Sequence, residues 1–217
     1  MPKLPDISAM DLGALLCSRV CHDIISPVGA ISNGLELLDD SDSDAETKTI
    51  AMDLIKSSAH NASTKLQFCR IAFGAAGSAG ADIDTGDAQA VADGYFSNEK
   101  KTTLEWTGER AYMPKNKVKL LLNLLLVSLH AIPRGGSVQA VIEDPNGTPK
   151  LTVTATGPKA RVPAVLLDLL NGTFEEQLDA HAVQPLYTLK LAEAAEMEVS
   201  AVLVDEKVVF SAQSIGA

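Results

Sequence analysis

Leu12, Leu16, Val20, Ile24, Val28, Ile31, Leu35 and Leu38 recur at intervals of four and three, the repeat that lines one face of an α-helix. The pattern predicts a helix from Ser8 to Asp40, with Ser8 as its cap. An acidic turn follows at residues 39–44, rich in cap formers. A second stripe (Ile50, Leu54, Ile55, Ala59, Ala62, Leu66, Cys69, Phe73) predicts a helix from Ala45 to Phe73. Each helix would be a rod of about 45 Å. Two such rods cannot bury both stripes between themselves. A second copy of the chain would close the core as a four-helix bundle, so a homodimer is expected.

His22 lies two residues from Val20 and two from Ile24. At about 100° per residue it points roughly opposite the stripe. Its face carries Ser18, Ser26, Gly29 and Asn33, with Cys21 and Ile25 beside it. These are small or polar apart from Ile25, an apolar side chain off the core stripe and a candidate anchor for a partner's helix. An outward imidazole among small neighbours is open to approach by another protein, a geometry that suits phosphoryl transfer through histidine. Asp23 is a candidate to hold the other ring nitrogen. Pro27 cannot donate its backbone hydrogen bond, so a kink or loosened turn is expected just after His22.

With 217 residues there is room for one large domain or two small ones. The segment from Gly74 to Ala81 is built of glycine, alanine and serine and reads as a linker. It divides the chain into residues 1–76 and 77–217. The second region mixes helix and strand. Helices are expected at 87–96, 115–132, 161–171, 173–182 and 184–196, and strands at 102–106, 137–143, 151–156, 198–204 and 207–213. An antiparallel sheet with helices on one face follows from that order. The fold class is therefore α+β.

Net charge is −10, which disfavours nucleic acid as a partner. No apolar run of membrane-spanning length and no secretory signal is read, so no membrane partner is expected. Three cysteines without a signal argue for reduced thiols in the cytoplasm. Cys17 and Cys21 share a helix face but do not make a closed metal site with His22, and read as small core residues. His60, His130 and His181 read as surface or satisfied core residues.

His22-Asp23 followed by Pro27, on the first helix of a hairpin, resembles the phosphoacceptor box of two-component sensor histidine kinases. The second region is similar to their ATP-binding domain, an α/β sandwich, in the order of its elements. Leu120 to Ser128 resembles the asparagine box, followed by Ala131-Ile132-Pro133-Arg134-Gly135-Gly136, and Val153 to Pro158 stands at the first glycine box. The chain departs from that family where nucleotide is held. Val127 replaces the second asparagine, a Mg²⁺ ligand; Ala155 replaces the adenine-binding aspartate; Lys159 replaces a glycine. The lid segment at 183–187 has no glycine. Nucleotide binding needs such backbone approach and a Mg²⁺ ligand. Asn123 is either a retained ligand or a structural hydrogen-bonding residue, and its altered neighbours favour the second.

A phosphoacceptor hairpin on a degenerate ATP-binding-like domain resembles the dimeric histidine phosphotransferases of alphaproteobacterial cell-cycle phosphorelays. That resemblance implies that His22 accepts phosphate from the receiver domain of a hybrid histidine kinase and passes it to response regulators. No cofactor is expected in this chain, and Mg²⁺ would come from the receiver. Two alternatives stand beside it: an atypical autokinase, and a scaffold or inhibitor that docks without taking phosphate.

Overall fold

The computed structural model describes residues 3–74, 82–175, 178–179 and 182–215. The hairpin forms as the stripes require. Helix α1 spans Ala9–Asp39, with the Ser8 hydroxyl accepting from the Asp11 amide, and α2 spans Ala45–Ala72, capped in the same way by Asp44 on Thr47. The Thr47 hydrogen bonds hold the Asp44 carboxyl below the usual range. Pro27 does not end α1, which runs through it unbroken with the proline buried.

Gly34 sets how closely the two helices meet. A Cβ there would lie 2.6 Å from Ile55 Cγ1 and 3.1 Å from the Ala51 carbonyl oxygen. Gly13 and Gly29 have nothing within 4 Å of the same position. Only Gly34 and Pro27 of α1 are fully buried. Val28 and Leu35, both on the stripe, remain 48% and 50% exposed. Ile50, Leu54 and Leu66 of α2 are exposed as well.

The membrane expectation needs correction for α1. By length and composition it is long and apolar enough to cross a membrane. Its apolar residues follow the spacing of a helix-packing stripe, and the other face carries Arg19, His22 and Asp23.

The second region begins with β1 (Asp82–Asp84) and α3 (Thr85–Phe96), followed by β2 (Thr102–Thr107), β3 (Tyr112–Pro114) and α4 (Lys115–Ala131). It continues with β4 (Gly136–Glu143), β5 (Lys150–Thr156), α5 (Ala164–Asn171), α6 (Val183–Ala194), β6 (Met197–Val204) and β7 (Lys207–Ser214). The main sheet has the order β2-β4-β5-β7-β6. It is mixed rather than antiparallel: β2 runs parallel to β4, because α4 carries the chain across from one to the other. The remaining pairs are antiparallel. The short β1–β3 pair escaped the sequence reading, since three-residue strands have no period to detect. Described residues 173–175 and 178–179 are not helical, contrary to the expected helix at 173–182. Ala182 is the residue before α6, and residues 176, 177, 180 and 181, His181 among them, lie outside the described ones.

Alternation across the sheet aligns one apolar row, buried except at the edge residue Ala201, which is half-buried. Ala140 pairs with Val153, Val153 with Phe210, and Phe210 with Ala201. The opposite face presents Gln139, Thr154 and Ser211. Helix α4 lies on the apolar face and is buried all round from Val118 to Ser128, because α2 and α6 cover its outer side. Gly135 ends the crossover with φ +86, where a Cβ would stand 2.3 Å from the Lys101 carbonyl oxygen.

The hairpin is not separate from this body. Phe68, Ile71 and Ala72 of α2 belong to the body's core, and the Phe68 ring packs at a tilt on Tyr95, 4.8 Å between ring centroids. The boundary expected at residues 76 and 77 lies outside the described residues. On its near side the last turn of α2 is locked to α4 by hydrogen bonds. Asn123 Nδ2 donates to the Ala72 carbonyl at 3.1 Å and to the Lys119 carbonyl at 2.8 Å. Gln184 Nε2 donates to Asn123 Oδ1 at 2.7 Å. The Lys119 ammonium reaches the Gly74 carbonyl; burial, and then Lys115, pull its pKa down.

Two stability measurements follow. Gly34→Ala should lower the melting temperature by the equivalent of about 1–3 kcal/mol through overpacking, although alanine is the better helix former. Gly13→Ala should raise it by up to about 1 kcal/mol. Asn123→Leu should cost about 3 kcal/mol in urea unfolding, because it orphans the Ala72 carbonyl and the Gln184 amide. Adding Gln184→Leu to that variant should recover part of the loss.

Candidate functional site

Helix α1 presents His22 to solvent one turn beyond Ser18 and one turn before Ser26. The His22 side chain is 76% exposed, against 21% for Asp23. His22 Nδ1 stands 3.4 Å from Asp23 Oδ1. Neighbouring side chains on a helix do not ordinarily meet, so this contact depends on how Asp23 is held. Arg19 Nε donates to the other carboxylate oxygen, Oδ2, at 3.1 Å, and the Arg19 side chain is only 12% exposed. From α2, Lys65 Nζ reaches the Asp23 backbone carbonyl at 3.4 Å.

The Asp23 carboxylate acts electrostatically on groups of α2 and α3. Its charge is felt at Cys69, whose thiol is pushed up to about 11, first by burial and then by Asp23. The Tyr95 phenol is raised by the same two causes in the same order. Arg19 on the Asp23 carboxylate and Lys65 on the Asp23 backbone carbonyl thus hold this residue beside an exposed imidazole.

The six candidate docking residues lie on one side of α1. Ser18, Cys21, Ile25, Ser26, Gly29 and Asn33 are all exposed, with Ile25 reaching 70%. Cys17 is exposed too, so Cys17 and Cys21 are not the small core residues expected. Only Cys69 is buried. The Cys21 thiol is raised by its hydrogen bond to Cys17. His60 is exposed, and His130 is tied to the Leu126 carbonyl at 3.1 Å.

The positions that would hold nucleotide are built differently. Val127 is buried in α4 and Ala155 in β5. Asn123 spends its amide on helix joints, as the structural reading predicts. Lys159 stands at φ +60, a left-handed conformation that suits glycine. Beside Val127, a cavity of about 170 Å³ is lined by His130, Pro163, Ala164, Val165 and Pro185, with no carboxylate to take an adenine amino group. Among the described residues, no group of three or more His, Cys, Asp or Glu side chains is placed to hold a metal ion.

Sequence reasoning found His22 and Asp23 but passed over Arg19 and Lys65. The four-residue spacing of Arg19 and Asp23 was a readable signal. Lys65 was not legible, because it lies 42 residues away from Asp23 along the chain.

Comparison with known proteins agrees with this architecture. Residues 85–207 match the family described as Histidine phosphotransferase C-terminal domain. The protein phosphotransferase ChpT of Brucella abortus (strain 2308) is 59% identical over 208 residues, which is 95% of this chain and 97% of that one. A bacterial phosphotransferase solved at 1.7 Å superposes with a TM-score of 0.89 at 55% identity, over 97% of this chain and 100% of its own. The histidine kinase AdeS of Acinetobacter baumannii aligns over 90% of this chain and 98% of its own, at 12% identity and a TM-score of 0.46. With a family match over more than half of its length and a relative this similar along nearly all of it, the chain belongs to the histidine phosphotransferase family.

Proposed function

We propose that this phosphotransferase works through a phosphohistidine on His22, filled by the receiver domain of a hybrid histidine kinase and emptied onto the aspartate of response regulators. The observation that carries the reading is an imidazole 76% exposed, with Nδ1 against Asp23. A neutral imidazole is a competent nucleophile near pH 7. With Nδ1 bearing hydrogen toward Asp23, the Nε2 lone pair attacks the acyl phosphate of the receiver. The N–P bond forms as the P–O bond breaks, and the receiver aspartate leaves as a carboxylate. The ring is then an Nδ1-protonated cation, which the Asp23 carboxylate steadies. Reversal of the same step onto another receiver completes the relay. Phosphoryl transfer asks mainly for in-line positioning and charge neutralisation; the Mg²⁺ is the receiver's.

The docking surface is the exposed run Ser18, Cys21, Ile25, Ser26, Gly29 and Asn33, whose small side chains let a partner helix approach and whose Ile25 offers it an apolar anchor. Exposed Val28, Leu35, Ile50, Leu54 and Leu66 support a second copy as the other half of a four-helix bundle. Buried Val127 and Ala155, a committed Asn123 and a cavity of about 170 Å³ support a chain that draws no phosphate from ATP. That volume is below the usual range of about 300–1,000 Å³ for ligand pockets.

Relay reconstitution tests the reading. A labelled receiver domain should pass phosphate to this protein and on to a second receiver, and His22→Ala should abolish both steps while leaving receiver binding intact. Relay by His22→Ala would sink the assignment. The label should be lost in acid and survive mild base; acid-stable label would move the site to a hydroxyl such as Ser26. Incubation with labelled ATP should leave the isolated protein unlabelled, and light scattering at micromolar concentration should give twice the chain mass.

A further inference from the structure

Asp23 is held from one side. Of its two carboxylate oxygens, Oδ1 lies 3.4 Å from His22 Nδ1 and Oδ2 takes the Arg19 Nε hydrogen at 3.1 Å. Arg19 is one helical turn before Asp23, where an i,i+4 pair meets naturally, whereas Asp23 and His22 are adjacent and do not. The aspartate rotamer that reaches the imidazole is thus the one that Arg19 selects. Burial adds to the effect. Arg19 and Asp23 are 12% and 21% exposed, so their pairing is less screened than that of a surface pair. Lys65, from the other helix, fixes the Asp23 carbonyl at 3.4 Å and with it the backbone at this turn.

We infer that Arg19 is a positioning residue for phosphoryl transfer, orienting Asp23 so that His22 carries its hydrogen on Nδ1 and presents Nε2 to the phosphorus. The inference rests on the reading of His22 as phosphoacceptor and adds a residue that acts through Asp23. Arg19 contributes a second property. With Lys65 on the Asp23 backbone carbonyl, it leaves one unbalanced positive charge on the Nδ1 side of the ring. A guanidinium suits this task better than an ammonium, because its planar fork binds a carboxylate oxygen while its other donors remain directed.

The test uses the full chain labelled with ¹⁵N. Two-bond ¹H–¹⁵N correlations of the His22 ring report which nitrogen bears hydrogen, and transfer from a ³²P-labelled receiver domain reports the rate. Wild type should show the Nδ1–H form in excess. Arg19→Met, which keeps the apolar stem, should shift the ring toward Nε2–H and slow transfer about tenfold, the lower end for loss of an orienting partner. Arg19→Lys should restore part of both. If Arg19→Met does not fold, by circular dichroism and light scattering, Arg19→Gln serves in its place, keeping a donor without the charge. An unchanged tautomer at unchanged rate in the folded variant would overturn the inference. So would a slowed rate with an unchanged tautomer, which would assign Arg19 to packing or docking. These outcomes are separate from failure of the phosphoacceptor reading, which His22→Ala decides alone.

Discussion

Asn123 joins three helices through one buried amide. Its nitrogen ties the last turn of α2 to α4, and its oxygen receives α6 through Gln184. A buried amide left unpaired is costly, so the three helices must sit where its hydrogen bonds can close. Two features of the molecule follow. The hairpin is fixed against the body rather than loosely tethered to it, and the Asn123 side chain of α4 is committed to neighbouring helices. The placement of the end of α2 and that of α6 on α4 are therefore one packing solution.

At the other end of the hairpin the packing is unfinished. The α1–α2 contact is close at Gly34, yet apolar stripe residues on both helices stay in water. A helix with this much outward apolar surface gains from a second partner face. The same composition makes α1 apolar enough to resemble a membrane span. On its far side Arg19, His22 and Asp23 make an ordered set of polar contacts.

The site itself shows how a helix places chemistry. Periodicity puts His22 outward, and exposure confirms it. The same periodicity puts Arg19 over Asp23, turning a pair of adjacent residues into a chain of three contacts. Burial grades that chain from Arg19, nearly covered, to His22, nearly open. A reactive group at the open end of an anchored chain can be met by a partner without being free to wander, which is what transfer between two proteins requires.

The amino-acid sequence alone determined the two long helices, their caps at Ser8 and Asp44, the outward face of His22 and the main strands, because each is set by local period and local hydrogen bonding. It also exposed the altered nucleotide positions at Val127 and Ala155, which are matters of residue identity. Tertiary structure decided the rest. The parallel pairing of β2 with β4, the short β1–β3 ladder, the exposure of Cys17 and Cys21 and the reach of Lys65 to Asp23 depend on where distant segments come to lie. So does the role of Asn123, since an asparagine in an apolar helix reveals its partners only when the helices around it are in place.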